Sequence, residues 1–371
     1  MITFISGNFL IVPILRRNRG NSISMIKKRY LWLDIARLIA IFCVVFNHVN
    51  ENLNQNPTTS LTVILQLIGR TGVPLFLIIS GYLMLNRDYT RDGKMNKFIH
   101  HNMLPMVYST ILWTFLLSLY TYFILNNKSI ALLLQNLIFQ NRPMPQMWYI
   151  QLLPVIYVLI PVLSIAKKFF TRYVGAIFLV GTTLLGISTL IANFTKNKFI
   201  PFQWNMSGSW GLVFIMLSLL VFGSFLNEIS KSKSAFILLG IGTLISFILF
   251  IINTKQLSPA GIMPTIWYTQ VWVFIPGSFL ILIIKKFDPH FENFIPKSRL
   301  LHNSIPKLSN LTFGVYIVHY AFLHCILSLN IFHAGFFNTM LLSLLVLVIS
   351  FIFVWVVTKI PKLPSFVFLT K

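Results

Sequence analysis

The sequence predicts an all-α protein that crosses a membrane about ten times. Hydrophobic residues make up 56% of its 371 residues, charged residues make up only 10%, and the mean hydropathy is +0.78. Because about a quarter of the residues of an average soluble domain are charged, this chain has too little polar surface to cover a globule in water. We therefore expect lipid to be its main solvent.

Ten apolar stretches are close to the length of roughly 20 residues that a helix needs to cross the ~30 Å hydrocarbon core of a bilayer. In order along the chain, the predicted spans are 31–50, 61–85, 104–125, 148–166, 174–193, 210–226, 235–253, 265–284, 311–330 and 336–357. The weakest prediction among them is 210–226. The pattern divides the chain into a basic tail (1–30), a membrane domain (31–357) and a short C-terminal tail (358–371).

The distribution of Lys and Arg among the connections predicts the orientation. The chain has 30 of these residues against 7 Asp and Glu, which gives a formal net charge of +23. Both tails and every second connection between them hold 23 of the 30, whereas the other connections hold 5. The positive-inside rule places the richer set in the cytoplasm, so we expect both termini there. The charge is thus mainly a topology signal, and we expect no nucleic-acid partner.

The N-terminal tail does not predict a cleavable signal peptide. Its apolar run, 4–15, is short, and the basic cluster Arg16, Arg17 and Arg19 follows this run. A secretory signal has the opposite order. We expect a cytoplasmic or interfacial tail, with Met25 as an alternative start.

The sequence predicts neither a disulfide framework nor a metal site. The two cysteines, Cys43 and Cys325, both fall in predicted spans, and no Cys-x-x-Cys, His-Glu-x-x-His or Gly-rich phosphate motif is found. The connections are short. We therefore expect that any chemistry takes place within the membrane region, without a bound cofactor.

Three ionisable residues in the first predicted span form the strongest functional candidate, because such residues are costly in a bilayer. Asp34 and Arg37 are three residues apart and can pair on one helix face. Arg37 and His48 are eleven residues apart, or about 1,100° at ~100° per residue, so both lie on that face and differ in depth by roughly 16 Å. The alternative is a structural Asp34–Arg37 pair with an interfacial His48.

The predicted stripe of Asp34, Arg37 and His48 could line a passage for a long anionic ligand. With the N-terminus inside, Arg37 would lie in the cytoplasmic half and His48 toward the outer end. A neutral imidazole accepts a proton near pH 7, so His48 is a candidate for acid–base chemistry.

The second predicted span holds a single cation, Arg70, which requires an anionic or carbonyl partner. The stretch after it contains Pro74 and then Ser80, Gly81 and Tyr82. Pro74 can interrupt the helical hydrogen bonds, and small residues allow backbones to approach. Helix packing is the alternative interpretation of these small residues.

Two later spans contain further candidates. Trp148 opens the fourth span, where Trp is typical of the aromatic belt at a membrane interface. Tyr316 and His319, in the ninth span, are three residues apart and could form a hydrogen-bonded pair near mid-membrane.

Four segments, taken together, resemble acyltransferase family 3 of integral membrane proteins. They occur in the family's order over residues 30–330. The segments are Asp34-x-x-Arg37 with His48, Val73-Pro74-Leu75-Phe76 with Ser80-Gly81-Tyr82, Trp148-Tyr149, and Gly314-x-Tyr316-x-x-His319. Leu38 and Leu77 depart from the family pattern, but neither replaces a titratable group.

This resemblance implies transfer of an acyl group, usually acetyl, from cytoplasmic acetyl-CoA to a hydroxyl group of a cell-surface glycan or lipid-linked sugar. The chain is similar to the stand-alone O-acetyltransferases of bacterial surface polysaccharides, such as the enzyme that acetylates enterobacterial common antigen. The implied location is the bacterial inner membrane, and the implied essential residues are Arg37 and His48.

The resemblance leads to a mechanistic hypothesis. Arg37, oriented by Asp34, would meet the phosphates of CoA, and His48 would act as general base or carry the acyl group transiently. The candidates for stabilising the oxyanion are Arg70, Ser80, Tyr316 and His319, and the further candidates for substrate contact are Tyr82 and Trp148.

A transporter or flippase of a glycan intermediate or small anion is the alternative. Ten helices with Arg and His inside the membrane suit such a protein. However, no carboxylate falls mid-membrane in the later spans to couple protons, and no internal repeat is evident.

Overall fold

The computed structural model describes residues 29–54, 60–125, 128–195, 209–257, 266–295, 298–361 and 363–370. Every regular element within these ranges is a helix, which confirms the predicted all-α class. The first seven helices are α1 (Leu31–Leu53), α2 (Ser60–Gly69), α3 (Gly72–Met84), α4 (Lys94–Phe98, continued by a π-helical turn Ile99–Met103), α5 (Leu104–Phe123), α6 (Ile130–Leu137) and α7 (Met147–Phe169). The remaining eight are α8 (Thr171–Phe194), α9 (Ser209–Ser224), α10 (Leu226–Lys231), α11 (Lys233–Leu257), α12 (Val271–Lys286), α13 (Asp288–Phe294), α14 (Arg299–Leu327) and α15 (Phe336–Val357).

Within the described ranges, eight helical segments are long and apolar enough to cross a membrane. These are Leu31–Leu53, Ile64–Met84, Lys94–Phe123, Met147–Phe169, Thr171–Phe194, Lys233–Lys255, Leu300–Leu327 and Phe336–Val357. They account for eight of the ten predicted spans. The other two correspond to α9 and α12, which have 16 residues each and cover about 24 Å at 1.5 Å per residue. Ten crossings and cytoplasmic termini therefore stay predictions.

The second predicted span is broken rather than continuous. It consists of α2 and α3, which are separated by Arg70 and Thr71. The Thr71 hydroxyl donates a hydrogen bond to the Ile68 carbonyl at 2.7 Å, and Pro74 lies in the first turn of α3, where its missing N–H is tolerated. The break places Arg70 at a turn inside the helical bundle.

Helix α1 lies at the centre of the bundle and packs against α2, α3, α12, α14 and α15. In the apolar stretch of α1 that could cross a membrane, 72% of the stretch is buried inside the protein, and in the α2–α3 segment 67% is buried. For α11 the share is only 11%, which is typical of a peripheral, lipid-facing helix. The candidates from Asp34 to Tyr82 thus lie on the two most deeply buried of these segments, whereas Trp148, Tyr316 and His319 lie on α7 and α14.

Close backbone contacts hold α3 against its neighbours. A Cβ atom on Gly81 would overlap the Leu220 carbonyl on α9, and one on Gly223 would overlap the Ile78 carbonyl on α3. Glycine at these positions lets two helix backbones touch, as in membrane helix pairs with small residues at the interface. The packing interpretation of the small residues after Arg70 therefore holds for Gly81.

Part of the predicted C-terminal tail folds back onto the helices. Val367 and Phe368 are buried, the Val367 carbonyl accepts a hydrogen bond from Trp113 Nε1 at 2.6 Å, and the Phe368 ring stacks on Trp113 with centroids 5.2 Å apart. The segment around Val367 and Phe368 is therefore anchored between α5 and α14, near Gly314.

Candidate active site

Two histidines from opposite ends of the chain meet at one end of α1. The rings of His48 on α1 and His319 on α14 are 5.3 Å apart between centroids and inclined by 30°. Both are buried, His319 completely. We call this region the His48 end of the bundle and the opposite end of α1 the Arg37 end.

The surroundings of His319 indicate its tautomer. Its Nδ1 lies 2.7 Å from the Tyr316 carbonyl and 3.2 Å from the Val315 carbonyl. A carbonyl only accepts hydrogen bonds, so Nδ1 carries the proton and Nε2 carries the free electron pair. Nε2 is buried without a hydrogen-bond partner among the residues described. The ring thus presents an unused proton acceptor.

Tyr316 and His319 are hydrogen-bonded as predicted, but the bond joins the His319 ring to the backbone carbonyl of Tyr316 and not to its hydroxyl. The Tyr316 hydroxyl itself donates to the Gln146 carbonyl at 3.2 Å, and Gln146 Nε2 donates to the Ile317 carbonyl at 3.0 Å. These bonds connect the start of α7 to the middle of α14. Tyr316 and Gln146 therefore fix the backbone that holds His319.

A carboxylate absent from the predicted set, Glu51, lies beside His48. Its Oε2 is 3.3 Å from His48 Nδ1, and its Oε1 accepts a hydrogen bond from Gln66 Nε2 at 3.1 Å and pairs with Arg70 Nη2. Glu51 is the anionic partner that Arg70 requires. The spacing of three residues from His48 is a usable signal, but the first span was predicted to end at residue 50, one residue before Glu51.

An aromatic cluster formed by Trp148, Trp267 and Tyr268 covers Arg70. The guanidinium carbon lies 5.2 Å from the Trp267 ring centre and 5.4 Å from that of Tyr268, within cation–π range. Trp148 packs 5.6 Å from Trp267 and 5.0 Å from Tyr268. Trp148 is thus part of this partly buried cluster, and the sequence did not indicate its two partners.

Several buried polar atoms at the His48 end have no hydrogen-bond partner among the described residues. They are Asn47 Oδ1, Arg70 Nε, Gln146 Oε1 and His319 Nε2. A buried polar group without a partner costs about 1–3 kcal/mol, so most such groups in native proteins are satisfied. Their concentration around two imidazoles is typical of a site that a polar ligand completes.

The Arg37 end contains a second polar group of residues. Arg37 Nη1 lies 3.2 Å from Asp34 Oδ1 and 3.4 Å from Ser309 Oγ, so the predicted pair is present. Arg29, which the sequence did not single out, binds the same carboxylate at 2.6 and 3.0 Å, and its Nη2 also donates to the Pro306 carbonyl. Two guanidinium groups share one carboxylate, which leaves a net positive charge at this end.

Helices α1 and α14 run side by side in the same direction between the two ends. Arg37 faces Ser309 at one end, and His48 faces His319 at the other. The eleven residues from Arg37 to His48 correspond to roughly 16 Å along α1. A seam between two helices therefore connects a cationic group to an imidazole pair, as the helical arithmetic predicted for α1.

Ser80 and Tyr82 do not join the His48 end. The Ser80 hydroxyl donates to the Phe76 carbonyl of its own helix at 2.8 Å, and Ser80 lies eight residues, or about 12 Å, beyond Gly72. Tyr82 packs on Trp32 with centroids 5.1 Å apart, near the Arg37 end. The oxyanion role expected for Ser80 beside His48 does not fit this placement.

The comparisons with known proteins agree with the motif pattern. The family 3 model described as an acyltransferase domain matches residues 30–359. The chain is also 26% identical over 337 residues to a protein of Enterococcus faecalis named amino-acid racemase, and the match covers 88% of this chain and 45% of that protein. The chain thus spans less than half the length of this curated relative. No solved structure matches significantly.

Proposed function

The chain belongs to acyltransferase family 3, and on that premise we propose that it moves an acyl group, in the first place acetyl, from acyl-CoA to a hydroxyl group of a cell-surface glycan or lipid-linked sugar. Membership of the family supports an acyltransferase that works in a membrane. The observation that carries the finer proposal is the seam between α1 and α14, with a cationic group at the Arg37 end and the His48–His319 pair at the other.

The donor would enter at the Arg37 end, which we place in the cytoplasm. The two positive charges of Arg37 and Arg29 outnumber the single negative charge of Asp34, so this end would attract the phosphate groups of CoA. Arg87, exposed after α3, adds a further cation. The pantetheine arm would then extend along the seam toward His48.

Acyl transfer would take place at the His48 end. An imidazole removes the proton from the acceptor hydroxyl, the alkoxide attacks the thioester carbonyl, and the carbon–sulfur bond breaks to release CoA, whose sulfur receives a proton. A second route, in which His48 first takes the acyl group as an acyl-imidazole and then passes it to the acceptor, gives the same net reaction. The reacting hydroxyl has one proton, which His48 takes in the direct route and the unpartnered Nε2 of His319 takes in the acyl-imidazole route. In the direct route His319 Nε2 accepts a hydrogen bond from a neighbouring hydroxyl group of the acceptor.

The oxyanion of the tetrahedral intermediate requires hydrogen-bond donors. The expected role of His319 as such a donor does not fit its tautomer, because Nε2 has no proton to give. The Tyr316 hydroxyl already donates to the Gln146 carbonyl. Arg70 retains a buried Nε–H without a partner among the described residues, so we assign to Arg70 the hydrogen bond that stabilises the oxyanion.

The racemase name of the Enterococcus faecalis relative is not extended to this chain. More than half of that protein lies outside the match, so its named activity has no necessary connection with the shared region.

Transfer of label from radioactive acetyl-CoA to native membranes tests the proposal. With the chain present, we expect base-labile label in the glycan or lipid fraction and stoichiometric release of CoA. Mass spectrometry of surface glycans should show an acetyl group that disappears when the gene is deleted. Movement of a glycan or anion across the membrane without consumption of acetyl-CoA would instead indicate the transporter alternative.

A further inference from the structure

We propose that Glu51 is a positioning residue that orients His48 for proton transfer. This inference rests on the proposed acyl transfer at the His48 end. Glu51 is a carboxylate in the same helix as His48, one turn further along. One of its carboxylate oxygens faces Gln66 and Arg70, and the other faces the imidazole of His48.

The contacts of Oε1 fix the position of the Glu51 carboxylate. Oε1 accepts a hydrogen bond from Gln66 Nε2 on α2 at 3.1 Å and pairs with Arg70 at the break between α2 and α3. Charge-assisted hydrogen bonds of this kind are roughly twice as strong as neutral ones. Glu51 is therefore held by a second segment of the chain and not only by its own helix.

The second oxygen faces the imidazole. Oε2 of Glu51 lies 3.3 Å from Nδ1 of His48, and no other group among the described residues hydrogen-bonds that nitrogen. The contact is at ion-pair distance without the alignment of a full hydrogen bond. Such contacts in catalytic sites often tighten only when substrate binds.

A carboxylate beside Nδ1 determines which nitrogen reacts. It favours the tautomer with the proton on Nδ1 and leaves the electron pair on Nε2, and it stabilises the imidazolium that forms when Nε2 takes a proton. In His319 the Tyr316 carbonyl has the same effect on the tautomer, but it supplies no negative charge. Of the two imidazoles, His48 is therefore the one that has a carboxylate beside its Nδ1.

The other groups that face His48 do not replace Glu51. His319 lies 5.3 Å away between ring centroids, and Tyr320 contacts the imidazole edge-on at 5.4 Å. Asn52 donates to the backbone carbonyl of His48, not to its ring. Glu51 is therefore the anion that can orient this imidazole within the described structure.

The competing explanation is that Glu51 only neutralises Arg70. Removing one partner of a buried ion pair leaves an unpaired charge, which lowers stability and disturbs the surroundings generally. In that case the Oε2 contact with His48 would have no effect on the chemical step. Because Arg70 is also assigned to the oxyanion, the two explanations differ in the double variant Arg70→Gln/Glu51→Gln: its kcat should fall below that of Arg70→Gln alone only if Glu51 also orients His48.

Glu51→Gln and Glu51→Asp, introduced at the chromosomal locus, test the proposal in native membranes with radioactive acetyl-CoA and the endogenous acceptor. The glutamine keeps the size and a hydrogen-bond acceptor but removes the charge, so we expect kcat to fall by about 100-fold, the scale of a well-placed acid–base group. The KM for acetyl-CoA should change by less than about threefold, since the Arg37 end is untouched. Glu51→Asp should recover part of kcat.

Glu228→Gln is the matched control, because Glu228 is an exposed carboxylate on α10. It should have wild-type kinetics. Unchanged kcat in Glu51→Gln, or a fall that merely follows loss of folded protein in detergent chromatography, overturns the positioning role. If His48→Ala is inactive while Glu51→Gln is fully active, only the role of Glu51 fails. If wild-type membranes transfer no acetyl group, the proposed function itself fails.

Discussion

The rings of His48 and His319 lie 5.3 Å apart, and Nε2 of His319 is buried without a hydrogen-bond partner among the described residues. His319→Gln removes this acceptor nitrogen, so we expect kcat for acetyl transfer to fall by about 100-fold. The measurement is the rate of label transfer from acetyl-CoA at saturating donor. His324→Gln, an exposed position on the same helix, should leave the rate unchanged. Equal rates for the two variants would contradict a role of His319 in the reaction.

Arg37→Gln tests donor binding at the opposite end of the seam. A lost charge-assisted hydrogen bond costs about 1.5–3 kcal/mol, so the KM for acetyl-CoA should rise by about 10- to 100-fold. Arg37→Lys should recover part of the loss because the charge is retained.

The control for Arg37 is Arg142→Gln, an exposed residue between α6 and α7. It should leave the KM for acetyl-CoA unchanged. A KM unaffected by Arg37→Gln would place the CoA phosphates elsewhere.

Gly81→Ala tests the close contact between α3 and α9. The added Cβ would overlap the Leu220 carbonyl, so the helices must separate, and we expect a loss of about 1–3 kcal/mol as for other overpacked sites. The thermal midpoint of the detergent-solubilised protein measures the effect. Gly242→Ala, where a Cβ would be in ordinary contact at 3.5 Å, should have a midpoint near that of the wild type.

Phe368→Ala tests the anchoring of the C-terminal segment. This buried ring stacks on Trp113, and truncation of a core Phe typically costs about 3–5 kcal/mol. We expect a lower thermal midpoint and release of the segment to proteases. Phe337→Ala, at a ring that is 77% exposed, is the control. An unchanged midpoint for Phe368→Ala would mean that the segment adds nothing to stability.

The predicted orientation can be tested by cysteine labelling. In a variant without Cys43 and Cys325, a cysteine at Asp92 should be protected from a membrane-impermeant thiol reagent in intact cells, and a cysteine at Asn141 should react. Both positions are exposed in the structure. The reverse pattern would contradict cytoplasmic termini.

The contacts within α1 were predictable because helical geometry alone determines them. Arg37 pairs with Asp34, and the eleven-residue interval brings His48 onto the same seam, as the period of 3.6 requires. The position of Glu51 beside His48 could have been predicted from the same period, but the predicted span ended at residue 50. The helix continues to Leu53.

Contacts between distant segments were not predictable in this way. Trp267 and Tyr268 cover Arg70 from the approach to α12, and no periodicity along the chain indicates that meeting. The hydroxyl of Ser80 was expected at the reaction centre, but inside a helix a serine readily donates to the carbonyl four residues earlier, here that of Phe76. The sequence alone could not decide between those two partners.

If His48 performs acyl transfer from acetyl-CoA, the rate of label transfer must depend on its imidazole, and His48→Ala removes that imidazole. The variant should insert and fold as the wild type does, because a small residue in α1 leaves the helix intact. We predict that its transfer of label to native membranes falls to the level of membranes without the protein. Full transfer by a normally inserted His48→Ala protein would show that His48 does not perform the reaction.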